Sequence, residues 1–253
     1  MNILELEKNI IVYKNIIKNP ESIIKSINLE KEWSSWYTFG EITQLKINEK
    51  RFVNFPSIDE WTLHVKEDSS LLDVENEIIN AYYSCTSDYV TRTNIKLDNW
   101  FFFAPQICRY FDNAGVDKDA GLAMNFHTDF QKENKDEPGK QHMITCNIYL
   151  NDNYDGGEIV FKIFNEDSTY SQISYKPEAG DIVIFPSTEP YYHGVNTSSN
   201  GLKYFVRSFW YKYFEGTEEW HNNKEKYGED VWFKMEQERK AIERKDGRYH
   251  KNY

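Results

Sequence analysis

The chain has 253 residues, with 41 Asp and Glu side chains against 30 Lys and Arg and a formal net charge of −11. Aromatic residues make up 16% of the sequence, a content that excludes a disordered acidic chain and indicates a globular domain. The negative charge argues against a general binder of nucleic-acid backbones, because such proteins carry clustered Lys and Arg.

The N-terminal part of the chain is predicted to contain strand and helix. Ile10 to Tyr13 is a run of β-branched and aromatic residues, which predicts a strand. Asn19 followed by Pro20 predicts a helix start, because Asn caps a first turn well and proline is tolerated at the first helical position. A second helix is predicted from about Ser70 to Tyr83, where apolar residues recur at helical spacing.

From Asn99 onward the sequence consists of short β-rich runs separated by turn residues. The predicted strands are Trp100 to Phe111, Met143 to Leu150, Glu158 to Phe164, Asp181 to Phe185 and Lys203 to Tyr213. Because no helices intervene, the pattern indicates an antiparallel sandwich and not a doubly wound α/β sheet. The charged segment from about Thr217 to Lys245 is predicted to be helical, with a solvated face.

Apolar runs are short throughout the sequence. Ile182 to Phe185, one of the longest, falls far below the roughly 20 apolar residues that a membrane-spanning helix needs. The first residues lack the basic and long apolar segments of a secretory signal, so we expect a cytoplasmic location without membrane contact. Cys85, Cys108 and Cys146 form no CxxC pair, and we expect buried, reduced thiols.

One histidine stands close to a carboxylate, in Phe126-His-Thr-Asp129. Side chains two residues apart lie on the same side of an extended strand, so His127 and Asp129 supply one edge of a metal site. His193, which follows an apolar predicted strand, is the candidate third ligand. Two histidines and one carboxylate on neighbouring strands are typical of the facial triad of non-haem Fe(II) oxygenases, which leaves coordination positions open.

Two further polar residues lie on predicted strands. Lys203 begins a strand and shares a face with Arg207 and two phenylalanines, where a buried cation needs a partner such as a bound dicarboxylate. The alternative is an edge-strand lysine whose ammonium reaches water. Tyr149 lies on the polar face of the strand Ile144 to Leu150, which faces either water or a pocket in which the hydroxyl donates to a carboxylate.

Four segments, in this order, resemble the prolyl-4-hydroxylase-like branch of the 2-oxoglutarate- and Fe(II)-dependent dioxygenases. They are Phe126-His-Thr-Asp129, Ile144 to Asn151 with Asp155 to Phe161, Pro177 to Phe185, and His193-Gly-Val with Gly201-Leu-Lys203. The HxD pair is a weak signal by itself, whereas the ordered set is specific. The resemblance extends over roughly Trp100 to Tyr213.

The resemblance implies a mainly β fold with flanking α-helices, built on a double-stranded β-helix, the jelly-roll of cupin-like proteins. It implies a single dioxygenase domain over residues 1–253. Within it, we expect an N-terminal α/β support at 1–97, the jelly-roll core at 98–213 and a C-terminal charged helical segment at 214–253.

The resemblance also assigns the site residues. Fe(II) is expected on His127, Asp129 and His193, with 2-oxoglutarate as cosubstrate, O2 as oxidant and ascorbate as a further candidate cofactor. Lys203 is expected to bind the distal carboxylate of 2-oxoglutarate and Tyr149 to hydrogen-bond it. Two other residues are candidates: Arg207 as the fallback anchor, and Tyr110 as either a pocket tyrosine or a core residue.

The implied reaction is hydroxylation of a C–H bond, with decarboxylation of 2-oxoglutarate to succinate and CO2. We expect a protein, peptidyl or small amino-acid-like substrate and no nucleic acid. Met124 stands where prolyl hydroxylases commonly carry tyrosine, which argues against peptidyl proline. The loops Asp112 to Ala123 and Gln131 to Gln141 are expected to contact the substrate. The alternatives are a cupin-like metal- and ligand-binding module without turnover, and a metal-dependent hydrolase or isomerase.

Overall fold

The computed structural model describes residues 1–29, 33–35, 42–48, 51–52, 69–95, 100–102, 105–113, 120–129, 140–213, 225 and 228. The predicted helical segment from about Thr217 to Lys245 lies outside these residues, apart from two isolated positions. Most of the loop from Gln131 to Gln141, and the middle of the loop from Asp112 to Ala123, also lie outside them.

Two helices lie in the described part of the chain. Helix α1 spans Pro20–Leu29 and begins directly after Asn19, as predicted. Its first turn is closed by Ser22, whose hydroxyl and backbone N–H both donate to the Asn19 carbonyl, at 2.7 and 3.1 Å. Helix α2 spans Ser69–Thr93 and is longer than predicted, because the fully buried Tyr89 continues its apolar face.

The described strands follow the predicted β-rich runs and add several that were not predicted. In chain order they are β1 (Asn2–Glu7), β2 (Ile10–Lys14), β3 (Trp33–Ser35), β4 (Ile42–Asn48), β5 (Arg51–Phe52), β6 (Trp100–Phe102), β7 (Gln106–Tyr110), β8 (Leu122–His127), β9 (Lys140–Tyr149), β10 (Asp155–Gly156), β11 (Ile159–Phe164), β12 (Tyr170–Tyr175), β13 (Ile182–Pro186), β14 (Tyr191–Asn196), β15 (Ser198–Ser199) and β16 (Lys203–Tyr213). The single run predicted from Trp100 to Phe111 is two strands, β6 and β7.

The strands form two main antiparallel sheets. The major sheet has the order β1-β2-β13-β9-β16-β7-β4-β3, with β5 paired to β4 and β6 paired to β16. The minor sheet has the order β12-β11-β14-β8, and β10 pairs with β15 in a short ribbon. This architecture is the double-stranded β-helix expected from the sequence. The N-terminal strands belong to the major sheet, because β2 pairs with β13. The predicted three-part division of the chain stays a prediction.

The major sheet is covered by apolar side chains on both faces. On one face, residues such as Ile148 and Trp210 pack with Ile23 of α1 and Tyr82 of α2. On the other face, residues of the two sheets pack together in a second core, which includes Phe161 of β11. The candidate site lies on this second face, between the sheets.

Neither described helix is long and apolar enough to cross a membrane. The three cysteines are free and buried, which confirms that prediction.

Candidate active site

Two histidines face each other across neighbouring strands of the minor sheet. β14 pairs with β8, and the register places His193 opposite His127. Their ring centroids are 4.4 Å apart. Asp129 lies two residues beyond the end of β8 and completes the group. The three side chains expected to bind a metal therefore come together beside the end of β8.

The Asp129 carboxylate lies between the two imidazoles. Its Oδ1 is 3.4 Å from Nε2 of His127, and its Oδ2 is 3.4 Å from Nε2 of His193. One ligand atom from each residue lies within 4.8 Å of the others. Nδ1 of His127 is 2.7 Å from the Asn125 carbonyl oxygen, a contact that turns Nε2 toward the carboxylate. Two imidazole nitrogens and one carboxylate fit Fe(II) with open coordination positions.

Burial and mutual charge decide the protonation of this group. Burial lowers the pKa of His193 to about 4. Burial raises the pKa of Asp129, but the charge of His193 and the hydrogen bond with His127 outweigh burial and leave the pKa below its ordinary value. Burial lowers the pKa of His127, yet its hydrogen bond to Asp129 prevails and raises the pKa overall. At neutral pH, Asp129 is anionic and His193 neutral, as metal binding requires.

Lys203 lies in the same pocket as the three metal-ligand candidates. β16 pairs with β9 on one side and β7 on the other, so Lys203 lies on an interior strand and the edge-strand alternative is wrong. The side chain is 1% exposed, and its Nζ donates a 2.6 Å hydrogen bond to the Gly157 carbonyl. Nζ lies 5.3 to 5.9 Å from the centroids of four aromatic rings, those of Tyr110, Tyr149, Tyr154 and Phe205.

The Lys203 ammonium lacks an anionic partner among the residues that the structure describes. Its one hydrogen bond goes to a neutral carbonyl, and no ion pair links it to a described carboxylate. Burial, reinforced by the charge of Lys176, lowers the pKa of Lys203 to about 7. An interior cation with spare donors is the complement of a carboxylate, so the residues present fit a bound dicarboxylate.

The remaining predicted site residues line the same pocket. Tyr149 is 2% exposed and stacks with Phe205, and burial raises the pKa of its hydroxyl well above the ordinary value, so the group remains a donor. Tyr110 lies opposite Lys203 in the β7–β16 register and packs edge-on against Phe205. Arg207 lines the same pocket, and its charge lowers the pKa of both histidines.

β9 supplies three successive inward-facing polar residues: Thr145, Asn147 and Tyr149. All three are buried and line the pocket, so the polar face of this strand faces a pocket and not water. The strict alternation from Ile144 to Leu150 was the available signal, but Thr145 and Asn147 were not predicted as site residues. Met124 also lines the pocket.

Residues 106–212 match the model of the 2OG-Fe(II) oxygenase superfamily. The matched segment contains the three metal-ligand candidates and Lys203. Fe(II), 2-oxoglutarate and O2 are the cofactors that this superfamily implies, whereas ascorbate stays a prediction. No curated protein sequence matches the chain.

Solved structures of low sequence identity share the fold. A prolyl hydroxylase from Trichoplax adhaerens, in complex with a hypoxia inducible factor oxygen degradation domain peptide fragment, is 15% identical. The similarity covers 81% of this chain and 84% of that one, with a TM-score of 0.50. A Pseudomonas putida prolyl-4-hydroxylase is 14% identical over 81% of this chain and 93% of its own, again with a TM-score of 0.50.

A further similar structure is the non-heme alpha ketoglutarate dependent epimerase SnoN from nogalamycin biosynthesis. It is 9% identical over 80% of this chain and 77% of its own, with a TM-score of 0.50. At such identities the similarity concerns the fold, while the superfamily match concerns the segment that carries the site. Residues 106–212, which contain the candidate site, thus match the 2OG-Fe(II) oxygenase superfamily, and the chain shares the fold of the prolyl hydroxylases.

Proposed function

We propose that the protein hydroxylates a C–H bond of a peptidyl or small amino-acid-like substrate, with succinate and CO2 as coproducts. The observation that carries the proposal is the presence, in one pocket, of the group His127, Asp129 and His193 and of the buried Lys203. A metal site alone suits several reactions. A metal site beside an interior cation without an anionic partner among the described residues favours a reaction that uses a dicarboxylate cosubstrate.

Five side chains of the pocket bind the metal and the cosubstrate in the proposed reaction. His127, Asp129 and His193 bind Fe(II). Lys203 binds the distal carboxylate of 2-oxoglutarate, and the Tyr149 hydroxyl donates to the same carboxylate. Iron and 2-oxoglutarate, when bound, supply the oxidising chemistry. The protein orients the cosubstrate and keeps water out of an interior lined by aromatic rings.

Two observations support the choice of substrate class. The Trichoplax adhaerens structure of the same fold was solved with a peptide fragment. The net charge of −11 repels polyanions, so nucleic acid is not expected as a substrate. Met124 contributes an apolar thioether to the pocket wall, which keeps peptidyl proline disfavoured.

The cytoplasmic location stays a prediction.

Succinate formation from 2-oxoglutarate tests the proposal. The purified chain with Fe(II) is incubated with panels of peptides, free amino acids, and single-stranded DNA and RNA, and the substrate-stimulated rate is measured. We expect stimulation by members of the first two panels and none with His193→Ala. Stimulation by nucleic acid alone would overturn the substrate class. Metal binding without any succinate would favour the alternative of a binding module.

A further inference from the structure

The Asp129 carboxylate is held by a pair of buried hydroxyls. Thr145 Oγ1 donates a 2.6 Å hydrogen bond to Asp129 Oδ2. Ser187 Oγ lies 2.7 Å from the same Thr145 oxygen. Thr145 is 2% exposed and Ser187 is fully buried, so water does not compete for these bonds. Neither residue was predicted from the sequence as part of the site.

The chemistry of the groups sets the direction of the two hydrogen bonds. An ionised carboxylate only accepts, and a hydroxyl has one proton to donate. The Thr145 proton is therefore directed at Asp129, and the bond between the two hydroxyls has Ser187 as its donor. A hydroxyl that accepts such a bond becomes a better donor itself, because hydrogen bonds in a chain polarise one another.

The two hydroxyls belong to the major sheet, whereas the histidines belong to the minor sheet. Thr145 lies in β9, opposite Phe185 of β13. Ser187 follows β13 directly, and its backbone N–H donates to the Met143 carbonyl at 3.1 Å. Asp129 itself lies beyond the end of β8, where no ladder hydrogen bond of the minor sheet restrains it. The carboxylate is thus oriented from the opposite sheet.

We propose that Thr145 and Ser187 are positioning residues that hold the Asp129 carboxylate between the two imidazoles for metal binding. The inference rests on the proposed role of Asp129 as a metal ligand. Without the Thr145 hydroxyl, the carboxylate is free to rotate away from the histidines, and its reorientation opposes metal binding. Partners that orient metal ligands in this way typically contribute about 10- to 100-fold to metal affinity.

Metal affinity, measured without cosubstrate, tests the inference. Mn(II) is titrated calorimetrically into the full chain, and Co(II) is added separately so that its absorption spectrum reports ligand geometry. We expect Thr145→Val to weaken Mn(II) binding about 10- to 100-fold and to alter the Co(II) spectrum. Thr145→Ser, which keeps the hydroxyl, should bind close to wild type. Ser187→Ala should weaken binding by less than Thr145→Val, because it removes only the second bond.

Thr197→Val is the matched control. Its Oγ1 is also buried but makes no hydrogen bond within the described part of the chain, so the substitution removes a hydroxyl without touching the carboxylate. We expect unchanged Mn(II) affinity for this variant. Thermal unfolding of each variant separates lost folding from lost binding.

Wild-type Mn(II) affinity and Co(II) spectrum in a folded Thr145→Val variant would overturn the inference. If Thr145→Val does not fold, the Ser187→Ala variant is used as the test. Wild-type Mn(II) affinity in Ser187→Ala would then overturn the inference. A chain that binds Mn(II) through His127 and His193 but forms no succinate contradicts the proposed reaction alone and leaves the positioning role standing. If Thr197→Val lost as much Mn(II) affinity as Thr145→Val, the inference would also be overturned. The loss would then not depend on the hydrogen bond to Asp129.

Discussion

Lys203 carries a positive charge into the space between two sheets, with one carbonyl as its hydrogen-bond acceptor among the described residues. An ammonium buried without a counter-charge lowers stability, and the lowered pKa of Lys203, about 7, expresses this cost. A bound carboxylate would remove the cost. The side chain is therefore better suited to binding a ligand than to stabilising the ligand-free fold.

Removal of this ammonium should weaken cosubstrate binding more than removal of the neighbouring guanidinium. A charge-assisted hydrogen bond contributes about 1.5 to 3 kcal/mol, so Lys203→Ala should raise the 2-oxoglutarate Kd roughly 10- to 100-fold. Arg207→Ala is the matched control and should have a smaller effect, because Arg207 is less buried than Lys203 and water screens its charge. Calorimetric titration with 2-oxoglutarate in the presence of Mn(II) measures the Kd of both variants. The opposite ranking would make Arg207 the anchor.

The same ammonium predicts how cosubstrate affinity depends on pH. Because the ligand-free pKa of Lys203 is lowered to about 7, the side chain is charged below this pH and increasingly neutral above it. A carboxylate binds the charged form, so 2-oxoglutarate affinity should fall as pH rises above about 7, and binding should take up a proton.

Lys203→Arg provides the control for this pH dependence, because arginine stays charged throughout the range. Titrations at several pH values in buffers of different ionisation enthalpy measure both affinity and proton uptake. An affinity that is flat with pH in the wild type, or equally steep in Lys203→Arg, would contradict the assignment.

At the scale of the elements, the metal site depends on how closely β14 approaches β8. Gly194 lies beside His193, where the pairing of the two strands is irregular. A Cβ atom at this position would lie 2.9 Å from the Met124 carbonyl oxygen and 3.4 Å from the Phe126 ring. The absence of a side chain at Gly194 therefore permits the close approach that places the two histidines opposite each other.

Gly194→Ala should separate these strands. We expect a loss of about 1 to 3 kcal/mol in the free energy of unfolding, as for overpacked interiors, together with weaker Mn(II) binding. Gly121→Ala is the control: its Cβ would meet nothing within 4 Å, although its positive φ of 70° makes the substitution strained. The control should lose stability and keep metal affinity. Unchanged Mn(II) affinity in Gly194→Ala would show that the strand spacing does not determine the site.

At the scale of the whole molecule, a buried carboxylate joins the N-terminal strands to the jelly-roll. Asp181, which is fully buried, accepts from Lys14 Nζ at 2.9 Å and from the backbone N–H groups of Asn15 and Glu178 at 3.0 Å. The Tyr175 hydroxyl of the minor sheet also donates to it. One side chain thus connects β2, the turn before β13 and the end of β12.

Asp181→Ala should destabilise the whole fold, because it leaves two backbone donors without their acceptor and removes the buried carboxylate paired with Lys14, which keeps only the exposed Glu178 and the Tyr175 hydroxyl as partners. Breaking a buried pair costs about 3 to 5 kcal/mol, and we expect the lower end because Lys14 reaches water in part. Urea unfolding measures the loss. The control is Asp152→Ala, an exposed acceptor for a single backbone N–H of the same turn. Equal losses in the two variants would contradict this role for Asp181.

Local patterns in the sequence determined which segments form elements and which residue types could carry chemistry. The Asn19-Pro20 start of α1, the apolar run of β2 and the alternation along β9 are properties of neighbouring residues. The two-residue spacing of His127 and Asp129 places both on one side of an extended chain. The resemblance to the oxygenases arose from such local segments, and the order of these segments along the chain predicted the fold.

Only the tertiary structure decided which strands lie side by side and in which register. The pairing of β8 with β14 brings His193 to His127, and the pairing of β9 with β13 brings Ser187 to Thr145. The burial of Lys203 likewise follows from the pairing of β16 with strands on both sides. Hydrophobic period and turn residues act over a few positions, whereas strand pairing joins segments far apart in the chain, so the sequence pattern specifies each strand but not its neighbours.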